Sequence, residues 1–529
     1  MTDPRPDERA QPATAPVPLL PPFDDRPTRY ERLRDAVVLG PEWGRMIRWF
    51  APLVITLLAA VLRLVNLGHP HQLAFDETYY VKDAWSLWTL GYEGTWGENA
   101  NEAFLTLQQL PLDEKGSFIV HPPLGKWLIA LGMSIGGPDN SVGWRLATAL
   151  LGVGTVLLTY LIARRLSGSV VVASIAGLLL AIDGLSIVLS RTALLDGILT
   201  FFLMLGVLFV LIDRERTIPV VQRRDDETPE PLWGRVLWRR PWLVAAGVAL
   251  GAACAVKWSG LYALAAFGLY VVVTDALARR RAGTVLWPSA AVFRQGPVSF
   301  VLLVVPALVV YLASWTGWLV TNGGWGRTAD PNPLIALWKY HQSILNFHVG
   351  LVSGHPYASP AWEWPLLLRP TAVWVDSDTT SCGTDHCIAV VSSIPNPLIW
   401  WAGVAAAVYL VYRLVRFLLG RGTFDTAFAW PLVGLAATWV PWLLFPERTI
   451  FQFYTVAMMP FLVLALALTL REIAGRAGDA LHRRQAGQRT VAVFLVVVVA
   501  VSAFYYPVWT GMSVPYEFWL LHNWLPGWV

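Results

Sequence analysis

The stretch from Trp242 to Asp275 reads WLVAAGVALGAACAVKWSGLYALAAFGLYVVVTD, and Lys257 is the one charge before its terminal Asp275. As a single α-helix it would run about 51 Å at 1.5 Å per residue, well beyond a hydrocarbon core of about 30 Å. The Lys257-Trp258-Ser259-Gly260 interruption therefore reads as a tight turn between two membrane helices, near 242–256 and 258–275. Similar apolar segments lie near 50–67, 143–163, 169–188, 194–212, 298–320, 398–412, 426–445, 452–470 and 490–509. The expected architecture is an all-α polytopic membrane protein with about eleven transmembrane helices.

Composition agrees. Of 529 residues, 55% are hydrophobic and 14% charged, where a soluble domain carries about 25% charge. The 28 tryptophans suit headgroup-level belts, and a net charge of +4 gives a nucleic-acid partner no support. Residues 1–49, proline-rich with interleaved charges, read as a disordered cytoplasmic tail. No cleavage site follows a short basic start, so the first apolar segment is expected to remain as an anchor. With the N-terminus inside, about three-quarters of the lysines and arginines fall on the inner side, which obeys the positive-inside rule and puts the C-terminus outside a cell membrane. The apolar segment 124–135 is too short to span and reads as an interface helix started by Pro122-Pro123. The expected divisions are the tail 1–49, a transmembrane catalytic domain 50–509 with outer loops 68–142 and 321–397, and an outer aromatic tail 510–529.

The chemistry concentrates at the outer ends. The first outer loop opens with Phe75-Asp76-Glu77, a carboxylate pair, and closes with Val120-His121-Pro122-Pro123-Leu124-Gly125-Lys126, with Arg145 at the start of the next span. Arg63 sits inside the first span, Arg191 and Asp196 bracket a turn, and Lys257 lies at an outer hairpin. Each is costly at such depth unless it faces a polar cavity or a partner. Cations beside a carboxylate pair suit an anionic headgroup and a proton acceptor in one cavity, while Arg63 and Asp196 fit structural ion partners equally well. Gly152 and Gly154 allow close helix packing. Cys382 and Cys387 flank Gly-Thr-Asp-His, where a small disulfide loop is favoured over metal binding with Asp385 and His386. There is no Walker P-loop and no zinc-protease spacing, and no metal or cofactor is expected.

Taken in order, these residues resemble the protein O-mannosyltransferase family. The resemblance runs through Arg63, Phe75-Asp76-Glu77, His121 to Lys126, Arg145, Ser190-Arg191 with Leu195-Asp196, Lys257-Trp258 with Gly260-Leu261, His355-Pro356-Tyr357 with Ser359, and Trp364 to Pro370. It implies a membrane glycosyltransferase C type fold that transfers mannose from polyprenyl-phosphate mannose to Ser/Thr hydroxyls of secreted proteins on the outer face. Thr78-Tyr79-Tyr80-Val81 departs from the family's usual Val-His-Phe-Gly, and loop 321–397 leaves no room for the β-trefoil of eukaryotic members, as in a bacterial version.

A phosphate leaving group needs no protonating acid, so one base suffices. Asp76 is the expected base, with Glu77 orienting it or binding peptide. Arg145 is the first choice for the phosphate, helped by Lys126, Arg191, Lys257 or Arg63, while His121, Asp196 and His355 shape the site. A single displacement would invert the anomeric centre. The competing readings are a related enzyme with a lipid or polysaccharide acceptor and a secondary transporter. The protein-translocation channel is a further expected partner, since acceptor chains must arrive unfolded.

Overall fold

A computed structural model describes residues 27–35, 43–106, 110–223, 232–476 and 478–528. Each expected span contains a helix, and eight of these helices are long and apolar enough to cross a membrane: Met46–Leu64, Ser141–Ser167, Leu195–Gln222, Gly260–Arg281, Trp287–Ser314, Pro397–Leu418, Thr426–Leu444 and Leu481–Thr510. The remaining three expected spans fall short for separate reasons. Pro241–Val256 and Met459–Ala474 have 16 residues each, about 24 Å of helix, and Val170–Ala181 with Gly184–Arg191 is a pair bent by 58°. The turn at Lys257 stands where the apolar stretch required one, between Pro241–Val256 and Gly260–Arg281.

The break at Ile182-Asp183 is chemically completed. Asp183 caps the second piece by accepting from Ser186 N at 2.9 Å, and the carbonyls that the first piece leaves open at Leu180 and Ala181 accept from Arg63 at 3.2 and 3.0 Å. Helices approach closely here because Gly152 has no Cβ: one would collide with Ser190 Oγ, which accepts from Arg63 Nε.

The outer loops carry structure of their own. Strands β1 (Gly94–Trp96) and β2 (Leu112–Gly116) form an antiparallel hairpin, and helix Leu124–Gly136 packs beneath helix Glu77–Leu90. In the second loop, β3 (Ala372–Asp376) pairs with β4 (Cys387–Ser392), and β4 pairs with β5 (Ser513–Pro515) from the chain's last segment. The aromatic tail is thus stitched to the sheet, with His386 stacked on Tyr516 at 4.3 Å and Trp528 donating to Leu367 O at 2.7 Å. Cys382 and Cys387 are joined in a disulfide at the β3–β4 turn.

The expected disordered tail 1–49 needs correction where it is described. Arg29–Arg34 is a helix opened by a capping box, with Thr28 Oγ1 accepting from Glu31 N and Glu31 returning the contact to Thr28 N. Glu31 also meets Arg484 in a buried ion pair, which docks this turn on helix Leu481–Thr510. The first membrane helix begins at Trp43. Residues 1–26 and 36–42 lie outside the described residues, so the expectation there has no structural counterpart.

Candidate active site

Asp76 is the residue before helix Glu77–Leu90, presented by a left-handed Phe75 at φ 51°. Its side chain does not cap its own helix. The near partner is the Tyr80 hydroxyl, one turn on, at 3.5 Å from Oδ2. Burial pushes the Asp76 carboxyl up to about 6; Lys257 opposes the rise, Asp196 adds to it and the Tyr80 hydroxyl opposes it. Asp76 is therefore a half-buried carboxylate with no ion pair among the described residues, ionised at neutral pH and basic enough to accept a proton.

The adjacent carboxylate has a different position. Glu77 is fully buried, and its two oxygens receive Arg145 Nε and Nη2, both at 2.8 Å. They also accept from Ala74 N at 2.8 Å and Ala193 N at 2.7 Å. Arg145 spends its remaining N–H groups on the carbonyls of Leu67, Pro70 and Gln72, so all five are used within the protein. This pair clamps the first outer segment onto helices Ser141–Ser167 and Leu195–Gln222. It engages both oxygens of Glu77 and leaves Arg145 no donor for a phosphate.

Three other expected phosphate cations are similarly engaged. Arg63 donates to Ser190, Ser186 and three helix carbonyls. Arg191 caps the end of helix Trp43–Leu64 through the carbonyls of Arg63, Val65 and Asn66. Lys126 is buried between Glu93, the His121 carbonyl and Asp83. Burial pushes Asp83 up to about 7, against the pull of Lys126.

Lys257 stays near Asp76. Its ammonium contacts both oxygens of Asp196 at 2.8 and 3.0 Å and stands 3.9 Å above the Tyr454 ring. Sequence reasoning expected Lys257 and Asp196 at the site without pairing them with each other, and it missed Arg448. This arginine follows the Thr426–Leu444 span, donates from Nη2 to His348 Nδ1 at 3.0 Å and keeps a buried Nε with no partner among the described residues. His348 Nε2 in turn donates to the Val120 carbonyl at 3.0 Å. That bond leaves Nδ1 as the acceptor for Arg448 and fixes a neutral tautomer. Burial and the Arg448 charge accordingly lower His348 to about 4.

His121 stacks on His348 at 5.4 Å, and burial first, then Lys257 and His348, hold it well below the usual histidine range. His355 stands at the exposed rim, edge-on to Phe75 at 6.2 Å. The structure thus brings Asp76, Lys257, Asp196, His121 and His355 into one cluster with Arg448, His348, Tyr80 and Tyr454. The last four carried a visible signal only in part: Arg448 ends Phe445-Pro446-Glu447-Arg448 at an outer helix end and precedes the aromatic run Phe451 to Tyr454.

An apolar groove of about 490 Å³ adjoins this cluster through Trp258, whose ring lies 5.9 Å from His348, and is lined by Leu261, Val304, Tyr311, His341 and Leu345 among others. Tyr311 ties its top together through bonds with Trp258 Nε1 at 2.9 Å and His341 Nε2 at 2.6 Å.

This fold is that of a membrane glycosyltransferase of the C type: it superposes on a chain of the S. cerevisiae protein O-mannosyltransferase Pmt1-Pmt2 complex with a TM-score of 0.70, covering 91% of this chain and 92% of that one at 16% identity. Two family descriptions match the sequence, dolichyl-phosphate-mannose-protein mannosyltransferase over residues 137–319 and the C-terminal four-helix region of protein-O-mannosyltransferase over 334–528. A polyprenol-phosphate-mannose–protein mannosyltransferase of Mycobacterium tuberculosis is 35% identical, covering 99% of this chain and 97% of its own. One from Mycolicibacterium smegmatis is 35% identical over 93% and 96%, and one from Corynebacterium glutamicum 30% identical over 90% and 92%. The chain belongs to the protein O-mannosyltransferase family.

Proposed function

We propose that the protein transfers mannose from a polyprenyl-phosphate mannose to Ser/Thr hydroxyls of proteins at the outer face of a cell membrane, with Asp76 as the single base. The observation that carries this reading is the Asp76 carboxylate, in no ion pair among the described residues, raised to about 6 and set close enough to Lys257 and Asp196 to feel both charges. The acceptor hydroxyl attacks C1 of mannose, and its proton passes to Asp76 as the C1–O bond to phosphate breaks. The electron pair leaves with the phosphate oxygen, which needs no acid, and the anomeric centre inverts. The family relatives' names support the donor and the protein acceptor.

Charge builds on the departing phosphate. Arg448, with its free Nε, and Lys257, already pointed by Asp196, are the cations assigned to it. Arg145 and Glu77 position the Asp76 segment, and the polyprenyl chain lies in the apolar groove below Trp258. The arginine-rich helix ends, including Arg164, Arg165 and Arg279 to Arg281, stand at the opposite end of the bundle. By the positive-inside rule that end faces the cytoplasm, with the N-terminus, and the C-terminal segment lies outside. Acceptors that must arrive unfolded make the translocation channel the natural partner for this outer site.

The test is transfer of labelled mannose from purified polyprenyl-phosphate mannose to a Ser/Thr-rich peptide. Labelled peptide is expected; label only in lipid or polysaccharide acceptors would favour a related enzyme. Two predictions refine it. Since Asp76 works ionised, the single-turnover rate should fall as pH drops through about 6, and a rate flat from pH 8 to about 4.5 would exclude a raised carboxylate as base. Arg448→Gln should lower the rate by roughly 100-fold through lost phosphate stabilisation, read by the same assay at saturating peptide. A wild-type rate would remove Arg448 from the phosphate.

A further inference from the structure

At the end of the bundle opposite Asp76, helix Pro397–Leu418 carries a graded stripe. Ala402, Ala405 and Ala406 come first, Tyr409 and Tyr412 follow, and Arg413 and Arg416 end it. These positions fall within about a third of the helix circumference at 3.6 residues per turn. The alanines leave a groove of about 590 Å³ against helices Met459–Ala474 and Leu481–Thr510, with Leu466, Thr469 and Phe494 on its far wall. Thr469 Oγ1 is buried there without a hydrogen-bond partner among the described residues.

The groove meets a second cavity at Tyr409, a cup of about 270 Å³ whose charged lining is Arg413, Arg416 and Arg421. Backbone geometry builds that cup: Gly420 at φ 71° and Gly422 at φ 142° turn the chain back, and Arg421 N donates to Arg416 O at 2.8 Å. Arg413 is occupied by Tyr409 Oη and Glu472 at 2.8 and 3.2 Å. Arg416 and Arg421 have no carboxylate within ion-pair distance among the described residues, and Arg416 lies over the Tyr412 ring at 5.8 Å. One acid against three guanidinium groups leaves the cup in need of an anion.

We propose that this end binds one anionic phospholipid of the adjoining leaflet, its phosphate held by Arg416 and Arg421 and one acyl chain laid along the alanine groove. The order of the stripe matches such a molecule: small apolar residues at chain depth, a hydroxyl and tyrosines at the glycerol level, and cations at the phosphate. A free inorganic phosphate would occupy the cup but leave the groove and Thr469 unexplained.

The test is native mass spectrometry of the full chain, purified in detergent and supplied with phosphatidylglycerol or phosphatidylcholine of the same acyl chains. Wild type should retain phosphatidylglycerol roughly tenfold better, and the Arg416→Gln/Arg421→Gln variant should lose that preference. Ala405→Leu, which fills the groove, should lower phosphatidylglycerol retention while the arginines remain. Excess inorganic phosphate should leave the lipid bound. Equal retention of the two lipids by wild type, an undiminished preference in the arginine variant, or full displacement by inorganic phosphate would each overturn the proposal. The wild-type comparison decides even if a variant fails to fold, and it reads binding alone, independently of mannose transfer.

Discussion

Asp76→Asn should lower mannose transfer by at least about 100-fold while the protein stays folded. No neighbouring carboxylate can take over. Glu77 is spent on Arg145 and two backbone N–H groups, and Asp196 is spent on Lys257. Asparagine keeps the shape and removes the acceptor for the proton. Stability should move the other way from activity. The carboxyl rises from 3.8 to about 6 on folding, so its ionised form is disfavoured in the folded state. Its stabilising contribution is present below pH 3.8 and is lost as pH rises through about 6. At neutral pH the asparagine variant should therefore unfold at the same temperature as wild type or a higher one. Single-turnover transfer and thermal unfolding, measured on the same preparation, check both halves; a wild-type rate would remove Asp76 from the base role.

Breaking the Glu77–Arg145 pair should act on folding first. Both side chains are fully buried and held by a two-point contact with supporting backbone bonds. Arg145→Ala leaves Glu77 charged and uncompensated in the interior, a loss of about 3–5 kcal/mol. The expected result is a severe drop in folded yield after extraction. Any folded remainder should bind donor lipid with near-wild-type affinity, because Arg145 does not reach the phosphate in this arrangement. Full yield with weakened donor binding would instead restore Arg145 to the phosphate site. Lysine cannot rescue the variant, since one ammonium cannot replace five N–H groups in a planar fork.

Much of the fold was legible because lipid imposes a simple demand. Long uncharged stretches must be helices, and the Lys257 turn followed from length alone. The bent segment 170–191 was less legible, since a single Asp183 marks the break and Arg63 completes it from a helix more than a hundred residues away in sequence. The docked turn at Arg29–Arg34 was visible in Thr28-Arg29-Tyr30-Glu31 but hidden by the proline-rich composition around it. Strand β5 has three residues and gains its meaning only from β4 across the outer surface.

The site divides in the same way. That Asp76, Lys257 and Asp196 lie toward the outer end could be read from charges that needed polar surroundings. The employment of Arg145 could not, because Glu77 and Arg145 lie 68 residues apart and residue type alone does not say which cation is already paired. Nothing in the sequence alone separates Arg448 from the other outer basic residues, which suit lipid headgroups. Its distinction is a buried Nε left open beside a histidine whose tautomer is fixed from the other outer loop.

The most direct test of single-base transfer is the stereochemistry of the product. Purified wild type would be given β-linked polyprenyl-phosphate mannose and a Ser/Thr peptide, and the glycopeptide's anomeric configuration read by NMR. One displacement driven by Asp76 yields α-mannosyl peptide with no covalent mannosyl-protein in the quenched reaction. A β-mannosyl product, or mannose trapped on the protein, would contradict the account.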